Sequence, residues 1–568
     1  MKKIHSIILL ACATILGSCG EGFLEKTPQG ELIQDQIETP AGVEGMLTGA
    51  YGLVNGNVNG TWGNYSSAPS QWLFGEVGAD DAHKGSNNGD QPNMNQVELH
   101  DVSTTNDNTE IMWNRYYEGV ARCNNTLRLL KAVQAGTSKL SDARAKEVEA
   151  EARFLRAHYY FFLRRVFVNI PYIDENVSSE DAMKVTNEEE VYPMIQADLE
   201  FAVANLPPTW DAANIGRASK VAAQAYLGKV LLYQKKYGEA LPLFTTVIGA
   251  RPSIETIPFE NNFDVTKENG PETIFASQHA INPDGGGDNA NVGDMLGGFY
   301  GTAPVSCCGF YQPSFDLVNS YRVAANGLPM LDGSYRTNPY KSDFGLTGNA
   351  KAQYAVDTTI AFDPRLDYTV GRRGVPYRDW GVMPGDAWIR DPAYAGPFVG
   401  VKHMVDGAVR GTETVAGAPY ITSLNVNIIR LADVYLMAAE CYVEQNNLGA
   451  ALNLVNKIRL RAAKLPPKMV GNSRAAKYNV QQYGSFANQD QARTAVRFER
   501  RLELALEGHR FYDLVRWGIA KQTIESYSAF EGSLLSAFLN IHFEPKDEYF
   551  PIPQQQIDRS QGALKQND

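Results

Sequence analysis

Two short repeat units set the strongest limit on how this 568-residue chain can fold. The first spans residues 220–252 and carries six residues at fixed spacings: Leu227, Gly228, Leu231, Ala240, Phe244 and Pro252. The alanine follows the glycine by twelve residues, and the phenylalanine comes four residues later. Small residues at this offset let two helices cross closely, with the aromatic ring wedged beneath the crossing. The pattern therefore predicts a helix hairpin over this segment.

A second copy lies at 431–461, where Ala438 and Ala450 repeat the twelve-residue offset and Leu454 replaces the phenylalanine. Both units match the spacing of tetratricopeptide repeats. Helical periodicity also runs through three earlier segments, 109–133, 140–167 and 187–205. Because the two copies stand so far apart, we predict an all-α scaffold of tetratricopeptide-like helix hairpins that is interrupted by a long insertion.

The insertion covers residues 254–425 and is rich in glycine, proline and aspartate. It has short apolar runs such as 273–276 and no sustained helical pattern beyond about 314–322. We interpret it as a large, irregular subdomain of loops and short strands. The rest of the chain divides into a signal peptide (1–18), a tether (19–45), a helical region (46–253) with a polar loop at 55–107, and a C-terminal helical region (426–568).

The segment 497–518 is dense in arginine, glutamate and aromatic residues, and its periodicity predicts one amphipathic helix. Its charged residues share one arc, with two pairs at the spacing of weak ion pairs: Arg500/Glu503 and Glu507/Arg510. Gly508 would cost such a helix about 1 kcal/mol relative to alanine, so it predicts a close backbone approach. We interpret the segment as a packing element, with His509 in the core and the charges divided between ion pairs and solvent.

The first residues indicate the compartment. Lys2 and Lys3 precede the short apolar run 7–16, which is too short to span a bilayer and is typical of a signal peptide. The run ends in Leu16-Gly17-Ser18-Cys19, which resembles the lipobox of bacterial lipoproteins. That resemblance implies an acylated Cys19 and a lipid anchor. Glu21 and Glu25 resemble a surface-export signal of Bacteroidetes-type lipoproteins, which implies an outer-membrane protein that faces the exterior.

The net charge and the cysteine spacing argue against two kinds of site, one for nucleic acid and one for zinc. The formal charge is −12, so we expect no nucleic-acid partner, because phosphate binding needs a basic surface. The sequence contains no pair of CxxC motifs, and a zinc site of that type is not supported. Cys307 and Cys308 are adjacent, and in an oxidising compartment either a vicinal disulfide or two free thiols is open.

Four stretches together resemble the SusD/RagB family of surface nutrient-binding lipoproteins: 151–157, 430–462, 499–518 and 549–567. The third is centred on Glu507-Gly508-His509-Arg510, and the fourth begins Tyr549-Phe550-Pro551-Ile552-Pro553. The sequence departs from the family at Ser560-Gln561, where many members carry Asn-Pro. The resemblance implies a SusD-like helical scaffold, an irregular ligand-binding face, and a SusC-like TonB-dependent transporter as partner.

An oligosaccharide ligand requires aromatic rings that stack on the apolar face of a sugar, and polar side chains that bind its hydroxyl groups. Two stretches supply both kinds of residue. The candidates for ligand binding are Trp62, Asp80, Asp81, Lys84 and Asn87 in the first stretch, and Arg373, Tyr377, Asp379 and Trp380 in the second. An oxidised Cys307 beside Tyr311 would add a flat, ligand-facing ring.

Catalysis is not expected, because the sequence has no HExxH pair, no GxSxG elbow and no Walker loop. Asp284 and Asp288 offer Ca²⁺ ligands, but their spacing is not that of an EF-hand, so we favour a polar loop and expect no cofactor. The leading hypothesis is a non-catalytic protein that captures oligosaccharides for the transporter. Two alternatives stay open: an oligopeptide receptor of the RagB type, and a tetratricopeptide-type protein–protein scaffold without a ligand.

Overall fold

A computed structural model describes residues 37–57, 64–301 and 305–567. The predicted signal peptide, Cys19 and most of the tether lie outside the described residues. Within these ranges, none of the helices combines the length and apolar character that crossing a membrane requires.

Helices are the main regular element of the described chain. They are α1 Pro40–Gly52, α2 Pro92–Glu98, α3 Asp107–Ala135, α4 Asp142–Phe167, α5 Tyr192–Asn205, α6 Lys220–Tyr233, α7 Tyr237–Gly249, α8 Phe315–Ser320, α9 Gly348–Ala352, α10 Leu366–Thr369, α11 Pro392–Ala395, α12 Leu431–Glu444, α13 Leu448–Ala463, α14 Gln489–Leu504, α15 Arg510–Arg516, α16 Ala520–Glu531 and α17 Gln554–Arg559. The long helices stack in chain order, α3 on α4, α4 on α5, α5 on α6, α6 on α7, and then α7 on α12 across the insertion.

Both repeat units fold into the predicted helix hairpins, which confirms the all-α hairpin scaffold. A Cβ atom on Gly228 would lie 2.5 Å from the ring of Phe244, so only glycine allows α6 and α7 to approach this closely. Polar residues cap the helix starts: Ser219 Oγ accepts the N–H of Ala222 at 3.2 Å, and Asn447 caps α13 in the same way.

The strands are short and pair in twos. They are β1 Ala82–Gly85, β2 Thr273–Ser277, β3 Phe310–Pro313, β4 Ala361–Phe362, β5 Val370–Gly371, β6 Val399–Gly400, β7 Thr414–Val415, β8 Ala418–Thr422, β9 Val426–Arg430, β10 Met469–Val470, β11 Ser473–Arg474 and β12 Lys477–Tyr478. Strand β4 pairs with β12 in parallel, and the pairs β1–β3, β2–β9, β5–β6, β7–β8 and β10–β11 are antiparallel. The β2–β9 pair joins the two ends of the insertion to the scaffold.

The prediction of one continuous helix over 497–518 is wrong. Helix α14 ends at Leu504, and Leu506 (φ +61°) and Gly508 (φ +77°) turn the chain before α15 begins. One carboxylate oxygen of Glu76, Oε1, accepts the backbone N–H groups of residues 507, 508 and 509 at 3.2, 2.7 and 3.1 Å. The N–H groups of Gly508 and His509 would otherwise be unpaired at the start of α15, whereas that of Glu507 also donates to Leu504 O at 3.1 Å. Helical periodicity continues across the break, and the distant carboxylate decides the local structure.

The predicted close approach at Gly508 is present. A Cβ atom there would lie 1.8 Å from the backbone oxygen of Ser70, so the 64–77 segment passes directly over the break. His509 is buried, as predicted.

The charged arc of 497–518 is not shared with solvent, which corrects the sequence-based interpretation. The predicted pairs within the helix do not form. Instead, Glu499, Glu503 and Glu507 enter a buried ion network whose other members are Glu272, Asp363, Arg365, Lys402, Arg430, Arg459 and Arg461. Arg500 pairs with Asp433 and Asp513 on a separate side. Charges this deep are tolerated because each has an opposite charge within hydrogen-bonding distance.

Candidate ligand-binding face

Seven half-buried side chains from five segments of the chain meet on the loop side of the molecule. Tyr65 lies in a short 3-10 turn before β1, Asp90 follows β1, Arg390 precedes α11, and Tyr420 lies on β8. Tyr300 and the Cys307–Cys308 disulfide come from one loop of the insertion. We call this set the aromatic face: Tyr65, Asp90, Tyr300, Cys307, Cys308, Arg390 and Tyr420.

Backbone hydrogen bonds hold the loop that carries the disulfide. The N–H of Cys307 donates to Phe299 O at 2.6 Å, and the N–H of Gly309 donates to Gly298 O at 2.8 Å. A Cβ atom on Gly298 would lie 2.8 Å from Tyr420 Cβ and 3.3 Å from Cys307 Cβ. Gly298 therefore lets the side chains of Cys307 and Tyr420 both approach the loop backbone at this point.

A small core of its own supports the loop from below. Phe299 stacks on Trp388 with ring centroids 4.4 Å apart and an interplanar angle of 14°. The N–H of Tyr300 donates to Trp388 O at 3.1 Å. Tyr420 packs against the same cluster. These contacts fix the backbone beneath the face, so its rings are presented by a rigid support.

The polar part of the face is an ion pair. Arg390 binds the Asp90 carboxylate and donates to Ser86 Oγ at 2.9 Å. Its guanidinium lies 5.2 Å from the ring centroid of Tyr300. Both members of the pair keep about 30% of their side-chain surface exposed, so each has capacity for further hydrogen bonds.

Lys84 shapes the loop that presents Asp90. Its ammonium donates to the backbone oxygens of Asn87 and Asp90 at 2.8 and 2.6 Å. Burial lowers the pKa of Lys84 to about 8, and the charges of Glu98 and Asp90 partly oppose that effect. Lys84 is itself buried, so it positions the loop and does not face solvent.

Tyr65 lies close enough to Asp90 and Tyr420 for their charges to affect its pKa, so it belongs to the same face. Its pKa is raised, first by burial and then by the negative charge of Asp90 and the hydroxyl of Tyr420. The phenol therefore stays protonated at neutral pH and can donate a hydrogen bond. Three phenol rings and a disulfide around a carboxylate–guanidinium pair offer apolar planes for stacking, together with donors and acceptors for hydroxyl groups.

The structure brings only part of the predicted set to this face. Cys307 lies on it, and Asn87 lies in the adjoining loop, where its side chain accepts the N–H groups of Gly89 and Asp90 at 3.0 Å each. Trp62 lies outside the described residues. Tyr311 lies behind the face: it is 2% exposed, and its ring stacks on His403 with a centroid distance of 5.3 Å.

Asp80 and Asp81 are fully buried, which corrects the expectation that they contact a ligand. Asp80 accepts hydrogen bonds from Arg510 Nε and Nη2 at 2.7 and 2.9 Å, and Asp81 accepts from Arg501 Nε at 2.6 Å. Both carboxylates are thus used to join the 72–85 segment to α14 and α15. Tyr377 is also buried, and its hydroxyl donates to Gly400 O at 2.6 Å.

Three further predicted residues lie on other parts of the insertion. Arg373 pairs with Asp343 at 3.0 Å. Asp379 is exposed and accepts the N–H of Ala408 at 2.9 Å. Trp380 is half-buried and donates to Val405 O at 2.9 Å. Trp380 packs on the same small core as Tyr420, so it borders the support of the face without belonging to it.

The two candidate calcium ligands lie on the surface of the insertion. Asp284 and Asp288 are exposed, and Asp284 Oδ1 accepts the N–H of Gly286 at 2.9 Å. Among the residues that the structure describes, no three His, Cys, Asp or Glu side chains gather as metal ligands would. The expectation of a polar loop without a cofactor stays a prediction.

A cavity behind the face is too small for a sugar. It has a volume of about 50 Å³ and is lined by residues that include Tyr311, His403 and Asn427. Tyr311 Oη, His403 Nδ1 and Asn427 Oδ1 have no hydrogen-bond partner among the residues that the structure describes. A site for one water needs roughly 10–15 Å³, so this space suits a few water molecules.

Sequence reasoning missed five residues of the face: Tyr65, Asp90, Tyr300, Arg390 and Tyr420. Tyr65 and Asp90 lie within the polar loop 55–107, and Tyr300 stands seven residues before Cys307, so a local signal existed for these three. Nothing in the sequence connects Arg390 or Tyr420 to residue 90, because the folded insertion alone brings them together.

Comparison with known proteins decides the family. A model described as the SusD family matches residues 271–568, and one described as starch-binding and associating with the outer membrane matches residues 22–232. The chain belongs to the SusD family. The SusD-like protein P25 of Formosa agariphila is 24% identical over 573 residues, which cover 98% of this chain and 97% of that protein.

Solved SusD-like structures share the fold. A SusD-like carbohydrate-binding protein from Bacteroides fragilis superimposes with a TM-score of 0.68 at 22% identity, over 92% of this chain and 98% of that one. Surface glycan-binding protein A from Bacteroides thetaiotaomicron, in complex with laminarihexaose, gives a TM-score of 0.65 at 20% identity, over 93% and 99% of the two chains. The predicted membership of the SusD/RagB family is confirmed.

Proposed function

We propose that this SusD-family protein is a non-catalytic receptor that binds oligosaccharides on the aromatic face. The observation that carries the proposal is the gathering of Tyr65, Tyr300 and Tyr420 around the Asp90–Arg390 pair. Stacking planes beside a charged hydrogen-bonding pair are the groups that a sugar ring and its hydroxyls require. The carbohydrate-binding character of the B. fragilis and B. thetaiotaomicron neighbours supports this ligand class.

The proposal extends to the place of the protein in uptake. Acylation of Cys19 would hold it on the outer membrane, and a SusC-like TonB-dependent transporter would receive the captured ligand. Membership of the family supports both points. Purification of the affinity-tagged protein from detergent-solubilised native membranes tests them. We expect a SusC-like transporter to co-purify, and its repeated absence would contradict the partnership.

The binding proposal is tested by screening the purified protein on an array of oligosaccharides and oligopeptides, followed by calorimetry with the best ligand. Tyr300→Ala and Tyr420→Ala each remove one stacking plane. An aromatic contact contributes about 0.5–1.5 kcal/mol, so the dissociation constant should rise roughly 2- to 12-fold for each variant. Tyr442→Ala is the matched control, because Tyr442 is a half-buried tyrosine on helix α12 of the scaffold.

The alternatives give different results in the same experiment. Binding of oligopeptides in place of oligosaccharides would identify a RagB-type receptor. No binding of either class, together with unchanged capture of protein partners by the Tyr300→Ala variant, would favour the scaffold. Equal affinity in the Tyr300→Ala, Tyr420→Ala and Tyr442→Ala variants would remove the aromatic face as the site.

A further inference from the structure

A second pocket opens on the helical scaffold, where α4, the end of α6 and α15 meet. Its volume is about 200 Å³, and it shares no residue with the aromatic face. Cationic and phenolic side chains dominate its walls, and none of the described residues that line it is a carboxylate. Six of its lining residues are Arg164, Arg165, Tyr233, Lys235, Tyr512 and Arg516. We call this the scaffold pocket.

Arg165 is the unusual member. It is only 6% exposed, yet within the described ranges it forms no ion pair with an aspartate or glutamate. Its guanidinium lies 4.3 Å from the ring centroid of Phe162 and 4.2 Å from that of Tyr512, and its Nε has no hydrogen-bond partner. Burying a cation without a carboxylate partner is unfavourable, and the hydroxyl of Tyr233 and the neighbouring phenols offset part of that penalty; an anion beside Arg165 would offset more of it.

The other cations divide into two groups. Arg164 binds Glu190 at 2.8 Å, and Arg516 binds Glu440 and Asp513, so these two are neutralised by the protein. Lys235 is exposed, and its ammonium has no partner among the residues that the structure describes. Arg165 at the inner wall and Lys235 at the surface therefore leave about two uncompensated positive charges on one pocket.

The remaining walls suit an anion that accepts hydrogen bonds. Burial raises the pKa of Tyr233, so its phenol stays protonated and can donate, whereas the Tyr512 hydroxyl already donates to Gln71 Oε1 at 2.8 Å. The volume is below the roughly 300–1,000 Å³ of pockets that enclose a whole drug-sized ligand. The space thus matches one small charged group better than an extended chain.

We propose that the scaffold pocket binds a small oxyanion, a phosphate, sulfate or carboxylate group, between the Arg165 guanidinium and the Lys235 ammonium. Guanidinium and ammonium groups bind such oxygens by charge-assisted hydrogen bonds, which are stronger than neutral ones. The site is separate from the glycan site, and neither proposal depends on the other.

The test titrates the mature chain with sodium phosphate and sodium sulfate, using sodium chloride at equal ionic strength as the reference. Melting temperature and calorimetry are the readouts. An anion that binds the folded protein stabilises it by RT ln(1 + c/Kd), where c is the anion concentration, so the melting temperature rises with anion concentration. We expect phosphate or sulfate to stabilise the protein more than chloride does, and Lys235→Gln to weaken that binding by roughly fivefold or more.

Lys236→Gln is the matched control, because Lys236 is the next residue, lies outside the pocket and binds Gln196 Oε1 at 3.1 Å. It should leave anion binding unchanged. Arg165→Gln, accepted only if its far-ultraviolet circular dichroism matches the parent, should abolish the binding. No stabilisation beyond chloride, or equal losses for Lys235→Gln and Lys236→Gln, would overturn the proposal.

Two sugars identify the source of the anion. Galactose 6-sulfate and glucuronic acid are compared with inorganic sulfate, with neutral galactose as the blank. Tighter binding of an acidic sugar than of sulfate would assign the pocket to a charged group on a glycan. Equal or weaker binding would assign it to free anions. Both outcomes require that Lys235→Gln lower the affinity.

Discussion

Replacing Glu503 by glutamine keeps the shape of the side chain and removes the negative charge that three buried arginines share. Glu503 Oε1 lies 2.7 Å from Arg430 Nη1 and also binds Arg461, and its Oε2 lies 3.0 Å from Arg365 Nη1. All four side chains are buried. The substitution therefore leaves part of the arginine charge without a counter-ion in the interior.

The stability that Glu503→Gln should lose follows both from its buried ion pairs and from the pKa of Glu503. Removing one partner of a buried ion pair costs about 3–5 kcal/mol. Burial alone would raise the pKa of Glu503, but Arg461, Arg430 and Arg365 lower it from 4.5 to about 2. At 1.36 kcal/mol per pKa unit, that shift corresponds to about 3 kcal/mol of stability. Because the folded-state pKa is depressed, this contribution is present above pH 4.5 and is lost as the pH falls through 2.

Guanidinium chloride unfolding, followed by tryptophan fluorescence between pH 3 and 8, measures the effect. We expect Glu503→Gln to lower the free energy of unfolding by about 3 kcal/mol at neutral pH, with a smaller difference from the parent as the pH falls below 4.5. The control is Glu525→Gln, because Glu525 forms an exposed pair with Lys521 that contributes at most about 1 kcal/mol. A Glu503→Gln loss no larger than the control's, or one independent of pH, would refute the reasoning.

Three further perturbations test other contacts. Gly508→Ala places a Cβ atom 1.8 Å from Ser70 O at a positive φ, and should cost roughly 2–5 kcal/mol in the same unfolding assay; a neutral effect would contradict the close approach. Burial lowers the pKa of His83, but two glutamates raise it to about 9, so its stabilisation is present below pH 6.5 and lost as the pH rises through 9. His83→Gln should therefore cost about 3 kcal/mol at pH 6 and much less at pH 9.5, and a constant loss would argue against it. Replacing Cys307 and Cys308 by serine should weaken oligosaccharide binding in calorimetry, and unchanged affinity would exclude the disulfide from the site.

The scaffold could be predicted from the sequence because its determinants are local. Gly228 and Phe244 lie sixteen residues apart, and both belong to one hairpin. The cost of Gly508 within a helix predicts a close backbone contact, but the sequence does not reveal that the contacting residue is the distant Ser70. Short-range patterns of this kind also explain why the family resemblance was visible.

The break after α14 and the buried ion network could not be predicted, because their partners are distant in the sequence. Glu76 lies more than 400 residues before the N–H groups that it binds. Arg365 and Arg430 approach Glu503 only after the insertion has folded. A helical wheel places charged residues on one arc, but it contains no information on whether that arc faces water or a set of arginines.

The candidate site follows the same division. The sequence alone indicates Cys307 and the loop around Asn87 as parts of a binding site, whereas Arg390 and Tyr420 join the aromatic face only through tertiary structure. Asp80 and Asp81 show the opposite error. Adjacent carboxylates in a polar loop suggest a site, but here each binds an arginine in the core.

A crystal structure of the protein with the best oligosaccharide from the array tests the central claim most directly. The account predicts a sugar ring stacked on Tyr300 or Tyr420, with hydroxyl groups within hydrogen-bonding distance of the Asp90–Arg390 pair. A sugar bound on the helical hairpins, with the aromatic face unoccupied, would contradict it.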